Sequence, residues 1–110
     1  MDRLTLALLT FDVGVPAATP DAFADRVCAQ VREAWDDGAD LVVLPEFLWM
    51  GLEPFVPGED KLRGVAQLFW TDLWPRLAPR LAQADKGVVL GTVPFLGADG
   101  QLRNRAPIWD

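Results

Sequence analysis

The sequence predicts an α/β fold of about four strands and two helical regions, and three stretches carry that prediction. Residues 3–11, RLTLALLTF, are almost continuously apolar. Residues 19–38 open on Thr-Pro-Asp and repeat apolar side chains at helical spacing, and residues 41–44, LVVL, form a short β-branched run. Strand, helix and strand in that order make a unit whose two strands run parallel.

Taken in order, the first run has only Thr5 and Thr10 among its apolar residues, which suits a strand buried on both faces of a covered sheet. A loop through Gly14 and Pro16 follows. Thr19 is placed to cap a helix with Pro20 at its first position and Asp21 beside it; Phe23, Val27, Val31 and Ala34 form its apolar face, and Gly38 offers a stop. After the second strand, residues 46–60, EFLWMGLEPFVPGED, hold no stable period and read as a loop rich in apolar surface. Helical spacing returns over residues 62–84 through Leu62, Val65, Phe69, Leu73, Leu77 and Leu81, with Pro75 and Pro79 predicting two pieces or a kink. Residues 87–95 resume strand character, and the Asp99-Gly100 turn leads to a last short strand over 103–109, antiparallel to its neighbour. Trp109-Asp110 closes that strand without a cap, covering helix or further strand. The expectation is a sheet edge and one apolar face left uncovered, the alternative being a mobile C-terminal end on a complete small protein.

Bulk properties narrow the function classes. A chain of 110 residues with 51% hydrophobic content supports one small domain with a buried core and is too short for two. A net charge of -6 argues against a sequence-blind grip on nucleic acid or an anionic membrane, since either needs a basic field. Cys28 is the only cysteine, so no internal disulfide forms and a reducing cytoplasmic setting is expected. Residues 1–14 lack a basic leader and are broken by Asp12, unlike a signal peptide or a membrane span. Histidine and tyrosine are missing, which excludes a histidine-based triad and a zinc site built from several Cys or His ligands. The Gly97-Ala-Asp-Gly100 turn is too short for a phosphate loop, and no cofactor or metal is expected.

Chemistry is thereby left to carboxylates, lysines, the lone thiol and backbone groups. Glu46 follows the strand 41–44 directly after Pro45, at the end where parallel α/β sheets usually bind ligands. Aromatic neighbours such as Phe47 and Trp49 are of the kind that desolvate a carboxylate and make it a better base. On position alone, a solvent-facing or helix-capping carboxylate is the competing reading.

The stretch GADLVVLPEFLWMG, residues 38–51, resembles the signature of the carbon-nitrogen hydrolase (nitrilase) superfamily, in which Gly-Ala-Asp precedes an apolar strand and then Pro-Glu. GVVLGTVPFLGADGQLRNRAPIWD, residues 87–110, is similar to the next block of that family, with Gly91, Pro94, a Gly100 turn and Asn104. The resemblance covers essentially the whole chain as the N-terminal part of the family's domain, so that residues 1–110 form a partial CN hydrolase domain. It implies an α/β fold that is the N-terminal portion of a nitrilase-like αββα sandwich. It also implies a hydrolase acting on non-peptide carbon-nitrogen bonds of a small amide, carbamoyl compound or nitrile, of amidase or nitrilase type. In such enzymes a glutamate is the general base, a lysine stabilises the tetrahedral intermediate and a cysteine thiolate attacks. Glu46 falls on the glutamate; the lysine and cysteine lie beyond the block that ends at Asp110, and Lys61, Lys86 and Cys28 do not match them.

Other residues receive more modest roles. Cys28, mid-helix beside Val27, reads as a small apolar filler rather than a nucleophile. Lys61 and Lys86 read as solvated surface charges. Glu53, Trp49 and Phe55 are candidates to line a substrate pocket, with a surface carboxylate the alternative for Glu53 and core packing the alternative for the aromatics. Asn104 matches an asparagine of the family and is expected to be a structural hydrogen-bonding residue, with Arg103 and Arg105 on the opposite face. Expected partners are a small-molecule substrate and, through the sandwich faces, a second copy of the chain. Two other readings compete: an inactive scaffold used for binding or assembly, and a standalone α/β domain using Glu46 in acid-base chemistry without a thiol.

Overall fold

A computed structural model of the chain describes residues 4–9, 17–46, 48–82, 86–105 and 108–109. It is a mixed α/β structure. Strands β1 (Leu6–Leu8), β2 (Leu41–Val43) and β3 (Gly87–Val89) form a parallel sheet, extended by the short antiparallel strand Ile108–Trp109. The register is Leu6 to Leu41 to Gly87, then Ala7 to Val42 to Val88, then Leu8 to Val43 to Val89. A separate hairpin pairs Val93–Leu96 with Leu102–Arg105. Helix α1 (Pro20–Asp36) joins β1 to β2, as the apolar spacing predicts.

The ends of α1 show why it starts and stops where it does. Thr19 is extended and its hydroxyl accepts the N–H of Ala22 at 3.0 Å, with Pro20 at the first helical position. At the other end Gly38 turns left-handed at φ +109, its N–H reaching Trp35 O while Ala39 N–H reaches Ala34 O. Those paired bonds satisfy the orphan carbonyls of the last turn. They also direct the chain straight into β2.

Asp40 then fixes the sheet register. Its own N–H donates to Thr5 O at 2.7 Å, its carboxylate accepts the N–H of Thr5 at 2.8 Å, and its carbonyl accepts the N–H of Gly87 at 2.8 Å. One residue thus joins the starts of all three parallel strands. Leu41 N–H adds a bond to Thr5 O at 3.2 Å.

The core lies on one face of this sheet. Val42 and Val88 point into it and meet Phe23, Val27 and Val31 of α1 together with Val65, Phe69, Leu73 and Leu77 from the second helical region. The other face carries Leu6, Leu8, Leu41, Val43 and Val89, with Leu6 and Leu8 exposed. This corrects the expectation that β1 is buried on both faces: Ala7 packs on the core while Leu8 is 71% exposed. Both faces of the strand are apolar, but among the described residues only one is covered.

Three further elements differ from the sequence reading. The segment read as a loop after Glu46 contains a 3-10 helix over Leu48–Phe55, because Leu48, Trp49 and Leu52 share an inward side that periodicity of 3.6 does not reveal. The second helical region is α2 (Lys61–Gln67), a π-helical stretch (Leu68–Leu73) and α3 (Trp74–Leu81) in succession. Pro75 has no N–H to give to Thr71 O, and Trp74 N–H instead reaches Phe69 O, so the proline widens the helix rather than splitting it. Finally, residues 87–95 hold two strands divided at Gly91 (φ +75), and residues 103–109 contribute to two strands in different sheets.

Helix α1 buries Phe23, Val27 and Val31 in the core, so loss of its cap is measurable. Thr19→Ala is expected to lower stability by about 1 kcal/mol. Urea unfolding checks this through a lower midpoint at unchanged m-value, whereas an unchanged midpoint would mean that the cap bond is not formed in solution.

Candidate active site

Glu46 lies three residues past the end of β2, in a turn and exposed to solvent. It stands between β1 and β3 in strand order, at the carboxyl edge of the parallel sheet. Among the described residues no aromatic side chain encloses it. Phe47 lies outside the described residues, and Leu48 and Trp49 turn away into the core, both buried.

The backbone around Glu46 is anchored on both sides to the end of β3. Leu44 N–H donates to Val89 O at 2.9 Å. Gly91 lies against the carbonyl of Pro45, where a Cβ would come within 2.3 Å of that oxygen. Trp49 is fully buried and donates from Nε1 to Leu90 O at 2.8 Å, its ring edge-on to Phe23 and tilted on Phe69 at 4.8 Å between centroids. Of the two readings open for Trp49, the structure therefore places it in the core.

The remaining candidates are scattered. Glu53 is exposed and lines a shallow concavity of about 310 Å³ with Met50, Gly51, Pro54 and Lys61. Phe55 is half-buried and belongs to a different, open groove of about 760 Å³ that also involves Arg63, Gln67 and Thr71. Glu46 lines neither of the two. Asn104 pairs through its backbone with Pro94 in the hairpin, while its side chain lies outside the described residues. Its neighbours are exposed as expected: Arg103 holds Asp99 at 2.7 Å and Arg105 stacks over the Phe95 ring.

Neither lysine is the freely solvated charge expected from its neighbours. Both are half-buried: Lys61 donates to Val56 O and Lys86 to Ala39 O at 3.2 Å, closing loop and helix-end carbonyls. Cys28 is buried on the inward face of α1. Burial pushes its thiol above the ordinary value, an effect partly offset by Arg80 and Arg32. A thiol kept protonated and enclosed is a packing group rather than a nucleophile. Among the described residues no group of three or more His, Cys, Asp or Glu could hold a metal ion, and no helix is long and apolar enough to cross a membrane.

Protein-family models, curated proteins and solved structures yield no match to this chain. Sequence reasoning located Glu46 but missed Asp40 and Gly91 as the residues that fix the surrounding backbone. The available signal for Gly91 was a glycine inside a strand pattern, which marks a close backbone approach.

Cys28 provides a pH test. Its folded pKa is raised above the unfolded one, so its contribution to stability is complete below about pH 8.5 and is lost as pH rises from there through the folded value. With no tyrosine in the chain, the urea midpoint should decline as pH rises above about 8.5, and Cys28→Ala should flatten that decline. Identical pH profiles for the two proteins would contradict the assignment.

Proposed function

We propose that this chain is the part of a carbon-nitrogen hydrolase of the nitrilase type that supplies its general base, Glu46. The observation that carries the reading is an exposed carboxylate at the carboxyl edge of a parallel sheet, immediately after Leu-Val-Val-Leu-Pro. Ligands of open α/β sheets gather at that edge. Its chemistry is that of a proton acceptor: a thiol must lose a proton to attack an amide or nitrile carbon, and a carboxylate can take it and pass it to departing ammonia or amine. A cation offsets the oxyanion that develops.

The open apolar face supports the architectural half of the proposal. Leu6, Leu8, Leu41, Val43 and Val89 present no polar side chain, whereas a sheet face meant for water carries polar residues alternating with the buried ones. A second sheet packed on that face would complete an αββα sandwich. The substrate in this reading is a small amide, carbamoyl compound or nitrile, and the lysine and thiol come from sequence that follows the segment. A reducing cytoplasm suits an enzyme whose nucleophile is a cysteine.

One observation favours a second reading, a noncatalytic scaffold for binding or assembly. Among the described residues, both lysines are engaged by backbone carbonyls and the sole thiol is buried in α1. Such a protein would use the same apolar face to meet another chain, including a second copy.

Turnover separates the two. The 110-residue chain alone is expected to hydrolyse no simple amide, because no thiol ester can form without a placed thiol. Joined to a continuation that carries a lysine and a cysteine at strand ends, it should release ammonia or amine from a panel of amides, carbamoyl compounds and nitriles. Glu46→Gln should then reduce turnover by about 10²-fold or more while the protein stays folded, and Cys28→Ala should leave it nearly intact. Full activity of the folded Glu46→Gln protein would assign the base elsewhere.

A further inference from the structure

An exposed carboxylate in a turn is held by its backbone or not at all. For a proton to move, a base must stay within hydrogen-bonding reach of the group it serves, and a displacement of about 1 Å can cost roughly 10²-fold in rate. The segment from Leu44 to Trp49 meets that demand in an unusual way, because both of its ends converge on one dipeptide. From the upstream side, Pro45 O approaches Gly91 so closely that only a residue without a side chain fits, and Gly91 has φ +75, where side chains are strained. From the downstream side, the indole N–H of Trp49 reaches over to Leu90 O. Leu90 and Gly91 are the two residues that follow β3.

Core packing alone does not account for this pair. A phenylalanine at position 49 would keep the ring contacts with Phe23 and Phe69 but could not donate to Leu90 O. A larger residue at position 91 would push directly on the carbonyl that precedes Glu46. We infer that Trp49 and Gly91 are positioning residues for Glu46, clamping the Pro45–Glu46 turn to the end of β3 from its two sides. The inference rests on the reading of Glu46 as the base, but its test does not involve turnover.

The test uses the full 110-residue chain labelled with ¹⁵N, with backbone order parameters measured from relaxation. In the wild type, Glu46 should be as rigid as Val42 and Val88, near about 0.85 despite its exposure. Trp49→Phe and Gly91→Ala should each lower the value at Glu46 toward about 0.6 while leaving Val42 and Val88 unchanged. Trp70→Phe is the control: it removes a comparable indole bond, to Pro94 O at 2.8 Å, and should leave Glu46 rigid. A purely structural role for Trp49 would loosen the whole core instead of the turn.

A Glu46 amide already mobile in the wild type would overturn the inference, as would folded Trp49→Phe and Gly91→Ala proteins with an unchanged Glu46. Should either variant fail to fold, the wild type still decides through its own Glu46 amide: an order parameter matching Val42 and Val88 keeps the inference, and one of about 0.6 overturns it. The two claims can fail separately. A turn loosened by Trp49→Phe, in a protein that hydrolyses amides fully as Glu46→Gln, would sink the hydrolase reading and keep the clamp; loss of turnover in Glu46→Gln with a turn indifferent to Trp49 and Gly91 would do the reverse.

Discussion

Asp40 is the residue on which the rest of the structure depends. Its N–H, carboxylate and carbonyl all bond to neighbouring strands, Thr5 on one side and Gly87 on the other. Because side chains alternate along a strand, a one-residue slip would turn Val42 toward the open face and bring Leu41 and Val43 toward the helices. Two faces of similar apolar character cannot by themselves choose between those registers. The polar contacts of Asp40 make the choice, and they require the tight exit from α1 that Gly38 provides.

The location of Glu46 follows from that choice. With β2 and β3 in register, Val43 pairs with Val89, Leu44 N–H reaches Val89 O, and two residues beyond that pair Pro45 and Gly91 come into contact. Trp49 can then reach Leu90 O only because the chain turns back at once into a 3-10 helix. The turn between those contacts exposes one carboxylate at the carboxyl edge of a parallel sheet.

Much of this was legible in the sequence. Thr19, Pro20 and Gly38 mark the ends of α1 by local chemistry, and the run 41–44 with its following Pro-Glu locates both the strand and the carboxylate. What escaped was the part that depends on tertiary partners. The 3-10 helix at 48–55 lacks a helical period because only three of its side chains, Leu48, Trp49 and Leu52, are buried. The π-helical stretch follows from a missing N–H at Pro75, which predicts a break but not that the helix will widen to pass it. At the candidate site, Glu46 was identifiable by position and by its neighbours in sequence, whereas the bonds that anchor its turn come from Val89 and Leu90, more than forty residues later.

The most direct measurement of this account is the set of scalar couplings across backbone hydrogen bonds in the isotopically labelled chain. Couplings are expected from Asp40 N–H to Thr5 C=O, from Gly87 N–H to Asp40 C=O and from Leu44 N–H to Val89 C=O. Finding all three would establish the register that brings Glu46 to the sheet edge. Couplings displaced by one residue on either strand would contradict it and would remove the basis for assigning Glu46 a catalytic place.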